Sequence, residues 1–503
     1  MTTTASPWDF PVEEVWPHLD PDGLLPIPWE DFRHGHQMDL LHALRRDAPF
    51  ETRFIDAGRS VEMRQLPAIE LGEGPRRVLL WARQHGNEPD CSAALNAALH
   101  ELVHRADSPV CRAILQGCRL CVLPMVNPDG VSLYTRQNAC GVDLNRDAVA
   151  LSQPEARALV GLREAFQPEF GFNLHDMSNR KANTDGRLVA LAFQAGPFDA
   201  TDSDNPTRLR AKAIIARIAE AVKRQAPENI ARYNAPYMHR AFGDSMMRWG
   251  VSSILIESGG WFSDEGGDEF VRRLHALAIL AGLHAIATGQ DHGMDGKAYA
   301  AIPLDTGEPY LDLLFKGGRI HAGAGTLPFI GDVGVNADLR HRRRDDKRQV
   351  LGFFEALGDL GDLRGKDAHD LRGLTLVPGI VGIAPGWNFQ DRLPRPPEMD
   401  SFVRAGVTTL AVSFGPFAAP HDREAFLENV RAGKPPLNIV ALERVESLEE
   451  ILRRQGITEL AGMTLGPRLI RAHELVEFLH LYHPANPATI SDEDGQVPLQ
   501  VDL

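Results

Sequence analysis

Short apolar runs alternate with longer amphipathic stretches between residue 38 and about residue 290. Runs of four to seven apolar residues are typical of buried strands, and apolar positions spaced three and four apart are typical of helices. The strands predicted on this basis are 78–82, 120–126, 170–174 and 251–256, after a β-like stretch at 51–71, and the helices are 39–46, 91–106, 154–166, 206–225 and 269–288. Strands that alternate with helices predict an α/β domain with a mixed, mostly parallel sheet that helices cover on both faces.

Polar residues that can bind metal or move protons follow several of these strands. His85 and Glu88 come after the strand at 78–82, His175 after the strand at 170–174, and Glu257 directly after Ile256. In open α/β sheets, ligands bind at the carboxyl edge of the strands. Imidazole and carboxylate are zinc ligands, and a catalytic site needs a third ligand and an open position. Because the chain has 19 His, a lone His-x-x-Glu is weak evidence for a metal site.

Taken in chain order, these residues and their neighbours resemble the motifs of the M14 family of zinc carboxypeptidases. The matching motifs are His85-Gly86-Asn87-Glu88, Asn127-Pro128-Asp129-Gly130, Arg136, Gly141-Val142-Asp143-Leu144-Asn145-Arg146, a strand-terminal His175 and a final Glu257. They span roughly residues 38–290, and the resemblance implies a carboxypeptidase-like fold for that stretch.

The resemblance also implies the chemistry of the site. His85, Glu88 and His175 would bind one zinc ion per chain and leave a position open for water. Glu257 would be the general base that takes a proton from the attacking water and returns it to the leaving amine. Arg136 would polarise the scissile carbonyl and stabilise the oxyanion. The expected enzyme is a metallocarboxypeptidase.

Substrate recognition is less constrained by the motifs. Asn145 and Arg146 match the pair that binds the substrate's free carboxylate, to which a guanidinium can make two parallel bonds. A capping tyrosine is expected before Glu257, where the local sequence offers Tyr233 and Tyr237; we select Tyr237. Asp244 falls near the region that lines the side-chain pocket in relatives, and a carboxylate there would favour a basic or amide-bearing substrate.

Two alternatives to a peptidase remain open. The stretch Asn173-Leu174-His175-Asp176 also resembles the succinylglutamate desuccinylase and aspartoacylase branch of the superfamily, which would make the protein an N-acyl amino acid deacylase. Asp176 could then orient a ligand histidine, or it could cap the following turn. The second alternative is a binding protein with a vestigial metal site.

Composition excludes some partners and suggests a location. A formal net charge of −15 argues against nucleic acid or an anionic membrane as a partner. No apolar stretch reaches the ~20 residues that a membrane span needs. The N-terminus lacks the pattern of a secretory signal, and the five Cys do not resemble a disulfide framework. We therefore expect a cytoplasmic protein acting on a peptide or an N-acyl amino acid.

Composition also shifts along the chain and suggests three parts. Residues 1–37 predict an N-terminal arm, residues 38–290 the zinc carboxypeptidase-like domain, and residues 300–503 an accessory domain of β-rich and α/β character. The accessory domain could shape the mouth of the active site or form the interface of a homo-oligomer.

The accessory domain weakly resembles dihydroorotase-like amidohydrolases in two places. Tyr310–Ile320 is similar to the opening strands of their small β-sandwich, and Leu376–Ile383 to their Pro-Gly-x-x-Asp-x-His-x-His motif. Gly382 replaces the Asp, and Ala384 and Gly386 replace the two His. This domain is therefore expected to be non-catalytic.

Overall fold

The protein is described by a computed structural model, which divides the chain into two compact units, Met1–Glu308 and Pro309–Leu503. The residues that the structure describes are 8–262, 267–292, 296–320, 327, 329–342, 347–372, 375–376, 378–388, 409–413, 439–441 and 496–502.

An eight-stranded sheet forms the centre of the first unit. Its strands are β1 (Thr52–Arg59), β2 (Gln65–Leu71), β3 (Arg76–Trp81), β4 (Cys118–Leu123), β5 (Phe170–Asp176), β6 (Leu191–Ala195), β7 (Ile230–Arg232) and β8 (Ser252–Ser258), in the order β1-β2-β4-β3-β5-β8-β6-β7. The four central strands, β4, β3, β5 and β8, run parallel to one another, and antiparallel pairs join β1, β2 and β6 to them. The carboxyl ends of β3, β5 and β8 therefore lie next to one another at one edge.

Alternation along the strands divides the core of this unit into two layers. Val78 and Leu80 belong to one buried cluster, while Leu79 and Trp81 belong to another on the opposite face. The helices that cover the sheet and its ends are α1 (Val12–Val15), α2 (His34–Asp47), α3 (Pro89–His104), α4 (Pro109–Gly117), α5 (Pro128–Leu133), α6 (Pro154–Phe166), α7 (Pro206–Val222), α8 (Phe242–Arg248), α9 (Gly267–Ala287) and α10 (Lys297–Ala300). Side chains of α3, α4, α7 and α9 pack on the first face, and those of α6 and α8 on the second. The predicted α/β sheet with helices on both faces is confirmed.

Most of the long predicted elements are present, with shifted ends. The predicted helix at 154–166 coincides with α6, and the strand at 170–174 extends through His175 and Asp176 as β5. The β-like stretch at 51–71 is a hairpin, β1 and β2, with a turn at Ser60–Arg64. The pattern did not predict α4, α8, β6 or β7, because elements of three to nine residues show too little periodicity.

Helix α9 is the most apolar of the long helices. By length and composition it could cross a membrane, but 78% of its most apolar window is buried inside the protein. Its apolar side chains, among them Leu274 and Leu277, belong to the main core cluster. Here α9 packs as a core helix.

The first unit extends further in both directions than the predicted domain of residues 38–290. The domain was predicted to end between 290 and 300, but the segment 303–308 also belongs to the first unit. Its Asp305 N donates to Arg232 O of β7 at 3.0 Å, and its Gly307 O accepts a hydrogen bond from Ala182 N at 3.0 Å. At the other end, Phe10 and Val12 of the predicted arm are buried in the main core. The boundary therefore lies after Glu308.

The second unit is built from strands in its described parts. They are β9 (Tyr310–Ile320), β10 (Phe329–Arg342), β11 (Lys347–Gly358), β12 (Arg364–Asp370), β13 (Thr375–Leu376), β14 (Pro378–Asn388), β15 (Thr409–Ser413), β16 (Ile439–Ala441) and β17 (Gln496–Asp502). One sheet has the order β11-β10-β9-β12 with β13 beside β9, and the other the order β16-β15-β14-β17. The resemblance to amidohydrolases stays a prediction; Gly382, Ala384 and Gly386 lie on β14. Any helices that the predicted α/β character would require at 414–438 and 442–495 lie outside the described residues.

Candidate metal centre and active site

Three of the predicted ligands converge at the carboxyl edge of the sheet. His85 lies in the turn after β3, Glu88 immediately precedes α3, and His175 lies near the end of the adjacent parallel strand β5. His85 Nδ1 lies 2.6 Å from Glu88 Oε1, and His175 Nδ1 lies 2.8 Å from Glu88 Oε2. All three side chains are buried and offer donor atoms within 4.8 Å of one another. Two imidazoles and one carboxylate gathered in this way fit the donor set of a zinc site that keeps a position open.

The charges of this cluster favour an ionised Glu88. Burial alone would raise the pKa of Glu88, but the two imidazoles beside it outweigh burial and hold the pKa well below its usual range. Burial works to lower the pKa of His85, yet the Glu88 and Asp143 carboxylates raise it to about 9. Burial lowers the pKa of His175. A cation bound between these groups would take the place of the proton that His85 otherwise shares with its carboxylate neighbours.

Asp143 supports His85 from the side opposite to Glu88. Its Oδ1 lies 3.1 Å from His85 Nε2, and its Oδ2 accepts a hydrogen bond from Arg136 Nε at 3.0 Å. A carboxylate on the second nitrogen of a ligand histidine fixes the orientation and tautomer of the ring. Asp143 belongs to the Gly-Val-Asp-Leu-Asn-Arg motif, but no role was predicted for it; the signal in the sequence is a carboxylate two residues before Asn145.

Glu257 reaches the site from β8. It pairs in register with His175 on the neighbouring parallel strand, and only 7% of its surface is exposed. Burial, together with the nearby Glu88 carboxylate, raises the pKa of Glu257 to about 8. A carboxyl group with a raised pKa near neutrality can both accept and return a proton, as a general base must.

A cavity of about 450 Å³ opens beside these groups and collects most of the predicted residues. His85, Glu88, Arg136, Asn145, Arg146, His175, Tyr233, Asp244 and Glu257 are among the residues that line it. The Arg136 side chain is 41% exposed, and its guanidinium lies 3.6 Å from Glu88 Oε1. The cavity therefore joins a metal-binding end to a wall that carries cations.

Asn145 and Arg146 are held by the loop that also contains Asp143. They lie in a single 3-10 turn, Leu144–Arg146, which the Asp143 side chain caps at Asn145 N. Asn145 Oδ1 accepts a hydrogen bond from Phe242 N at 2.9 Å, and its Nδ2 lies 3.5 Å from His175 Nε2. This turn connects the cavity wall to the metal ligands, so that a carboxylate bound here has a defined distance from them.

The structure places the two candidate tyrosines differently, and the selection of Tyr237 as the capping tyrosine stays a prediction. Tyr233 lines the cavity and Tyr237 does not. Tyr233 follows β7, and its N donates to Phe193 O of β6, whereas Tyr237 lies in the irregular stretch after it. The negative charge of Glu257, followed by burial, raises the pKa of Tyr233. Separation in sequence could not distinguish the two, because only the pairing with β6 orients Tyr233.

Asp244 lies in the first turn of α8 and lines the inner part of the cavity. Its Oδ2 accepts a hydrogen bond from Met238 N at 2.7 Å, and burial raises its pKa to about 6. Its Oδ1 points toward Gly196, where an added Cβ would lie 2.7 Å away. A side chain at position 196 would therefore clash with the Asp244 carboxylate, which glycine allows to approach the backbone.

Two further polar residues of this region were not given these roles by the sequence. Lys181 lines the cavity, lies 4.6 Å from the centre of the Tyr233 ring, and donates to Asp305 Oδ2 at 2.8 Å. Asp176 accepts hydrogen bonds from Asp90 N at 2.7 Å and Cys91 N at 2.8 Å. Its carboxylate therefore caps α3; no hydrogen bond joins it to either ligand histidine in the described structure.

Comparison with known proteins places these motifs in a family. The family model described as zinc carboxypeptidase, Peptidase M14, matches residues 38–181. An uncharacterized protein of Zymomonas mobilis is 37% identical over 91 residues, 18% of this chain and 24% of that protein. Carboxypeptidase D of Mus musculus is 28% identical over 182 residues, 31% of this chain and 13% of that protein. This chain thus matches less than a third of either relative.

Among solved structures, a metallo-carboxypeptidase from Burkholderia cenocepacia has a TM-score of 0.42 and 22% identity, over 51% of this chain and 70% of that chain. The sequence match and the order of the motifs agree: residues 38–181 of this chain match the zinc carboxypeptidase model of the peptidase M14 family.

Proposed function

We propose that this protein is a zinc-dependent metallocarboxypeptidase that hydrolyses an amide bond next to a residue with a free carboxylate. One observation carries the proposal: the His85, Glu88 and His175 cluster shares a single cavity with a buried carboxylate, Glu257, and with an accessible guanidinium, Arg136. Metal ligands, a base and an oxyanion-stabilising cation are the groups that amide hydrolysis requires.

The chemistry divides between the metal and the protein. A zinc ion held by the three ligands supplies Lewis acidity, which polarises the scissile carbonyl and acidifies the attacking water. Glu257 accepts a proton from that water and delivers it to the nitrogen of the leaving amine. Its pKa above the ordinary carboxyl range suits both transfers near neutral pH. Arg136 stabilises the negative charge that develops on the carbonyl oxygen.

Recognition of the free carboxylate is assigned to Asn145 and Arg146. Both line the cavity, and a guanidinium with an adjacent amide donor matches the geometry of a carboxylate. Binding at this turn places the C-terminal residue of a peptide so that its preceding amide bond lies toward the metal ligands. Tyr233, on the opposite wall, can pack against the bound substrate.

The substrate's side chain is assigned to the part of the cavity that Gly196 and Asp244 line. Besides Asp244 Oδ1, this part of the cavity contains Asn173, whose buried Oδ1 has no hydrogen-bond partner. Unpaired buried acceptors cost free energy, which a donor on the ligand would recover. We therefore propose a preference for a C-terminal residue that carries hydrogen-bond donors, such as a lysine, an arginine or an amide.

The test is a substrate panel with the zinc-loaded enzyme. Peptides with a free C-terminus are expected to lose their last residue, basic residues fastest, and C-terminally amidated peptides to be resistant. Equal cleavage of amidated peptides, or activity that persists after removal of zinc by a chelator, contradicts the proposal. N-acyl amino acids belong in the same panel, and exclusive cleavage of these would instead identify a deacylase.

The side-chain preference has its own variant. Asp244→Asn is expected to reduce kcat/KM for lysine- or arginine-ended peptides at least about tenfold, while leaving apolar C-terminal residues little changed, because only the former lose a charge-assisted bond. Asp107→Asn is a suitable control, since the Asp107 side chain is fully exposed outside the cavity. A uniform decrease in kcat/KM for all substrates would show that Asp244 does not determine the side-chain preference.

A further inference from the structure

Residues 8–33 are the described part of the predicted N-terminal arm that precedes α2, and they pack on the first unit near the metal-binding end of the sheet. We refer to residues 8–33 as the N-terminal arm. It lies outside the matched residues 38–181. Its Trp29 and Phe32 are buried against Ala93 of α3 and Val131 of α5. The arm therefore contacts the helix that begins immediately after the ligand Glu88.

A buried arginine with two carboxylate partners makes the first polar connection between the arm and the segment 82–88, which contains His85 and Glu88. We call this segment the metal loop. Arg272 of α9 is 8% exposed. It donates two hydrogen bonds to Asp22 of the arm, at 2.6 and 2.5 Å, and one to Asp90 Oδ1 at 2.9 Å. Asp90 is two residues after Glu88. The Arg272 side chain is 10% exposed, whereas those of Asp90 and Asp22 are 19% and 35% exposed. A cation largely removed from water therefore depends on two partly buried carboxylates for compensation.

A second buried arginine makes the other connection. Arg83, at the end of β3, is fully buried and has a φ of 56°, a left-handed value that non-glycine residues rarely adopt. It donates to Gly86 O at 3.0 Å, in the turn between the ligands His85 and Glu88, and to Trp29 O of the arm at 3.4 Å. The arm thus contacts the metal loop from within the core.

Asp176 connects the same junction to the third ligand. It follows His175 on β5, and its carboxylate accepts from the backbone N–H groups of Asp90 and Cys91. A chain of contacts therefore runs from β5, next to His175, through the start of α3, next to Glu88, to Arg272 and the arm.

We infer that the N-terminal arm, through Asp22 and Arg272, is a positioning element of the metal centre, so that zinc affinity depends on residues outside the matched family domain. This inference rests on the proposed zinc site. Residues that hold metal ligands in place commonly change metal affinity by about 10- to 100-fold when they are altered. Asp22 touches no ligand and acts only through Arg272 and Asp90.

The test compares zinc affinity in full-length variants by competition with a chromophoric chelator. Asp22→Asn is expected to weaken zinc binding about tenfold and to change the visible absorption of the cobalt-substituted protein, since the ligand geometry relaxes. Asp9→Asn is the control: Asp9 also lies in the arm and pairs with an arginine, Arg224, but away from the metal loop. It is expected to retain wild-type affinity and spectrum.

Each outcome decides between separate claims. A folded Asp22→Asn protein with wild-type zinc affinity and cobalt spectrum overturns the inference, even if its melting temperature falls, because the arm would then contribute stability alone. If Asp22→Asn does not fold, Arg272→Lys, which retains the charge but loses the forked contact, carries the same test and the same criterion. A wild-type protein that binds no zinc overturns the proposed function itself.

Discussion

At the scale of single residues, Glu257 has the environment that the proposed chemistry demands. It is buried at the end of β8 beside His175, and burial with the adjacent Glu88 carboxylate raises its pKa to about 8. A bound zinc cation would favour the ionised form and move this pKa downward. The acting base is the ionised carboxylate, so activity is lost as pH falls through its pKa.

The loss of activity on protonation of Glu257 gives a prediction for the pH profile. The acidic limb of kcat/KM is expected above the ordinary carboxyl value of 4.5 and below about 8, because burial raises the pKa and zinc offsets part of the rise. The measurement is kcat/KM of the zinc-loaded enzyme between pH 4 and pH 9, with bound zinc quantified at each pH. A limb at or below 4.5, with zinc still bound, would show that Glu257 is not the group that titrates.

At the scale of secondary-structure elements, the turn after β3 depends on close backbone packing. A Cβ added at Gly86 would lie 1.9 Å from the carbonyl carbon of Gly130 at the start of α5. Asn127 reinforces this approach, because its Nδ2 donates to Gln84 O at 3.1 Å and its Oδ1 caps α5 at Gly130 N. The Asn-Pro-Asp-Gly motif therefore acts by holding the metal loop in place.

The substitution Gly86→Ala tests this packing. The added methyl group meets backbone that cannot rotate away, so the turn must shift; we expect a loss of about 1–3 kcal/mol in the free energy of unfolding, typical of overpacking, and weaker zinc binding. Gly161→Ala in α6 is the matched control, because nothing lies within 4 Å of its added Cβ. Urea denaturation measures both. Equal stability of the two variants would mean that the loops can move apart freely.

Whether a site residue could be predicted from the sequence depended on the secondary-structure element that positions it. Residues at or shortly after the ends of the short apolar runs, such as His85, His175 and Glu257, were predictable because parallel strands bring their ends to one edge. Tyr233 was not, since its position depends on the three-residue strand β7, which lacks a visible period. The arm's connection to the metal loop was also hidden, because Asp22 and Arg272 are 250 residues apart.

At the scale of the whole molecule, every predicted metal ligand belongs to the first unit, and the ligands come from two distant parts of its sequence. Unfolding of this unit would separate them, so we expect zinc to bind the folded form much more tightly than the unfolded chain. The accessory role predicted for residues 300–503, a cytoplasmic location and assembly into a homo-oligomer stay predictions.

Zinc should therefore stabilise the wild-type protein. Free zinc at about 100 times its dissociation constant is expected to add about 2.7 kcal/mol to the stability of the first unit. Differential scanning calorimetry with and without zinc measures the shift in Tm, and His175→Ala is expected to show little of it, because one ligand is missing. An equal shift in both proteins would point to zinc binding elsewhere.

The central claim is that Glu257 is the general base of a zinc hydrolase whose metal site is formed by other residues. The most direct measurement is kcat for a peptide with a free C-terminal carboxylate, in the wild type and in Glu257→Gln, with the zinc content of each protein determined in the same samples. We expect one zinc per chain in both proteins and a decrease in kcat of about 100- to 10,000-fold in the variant. Glu257→Gln with full zinc and wild-type kcat would contradict it.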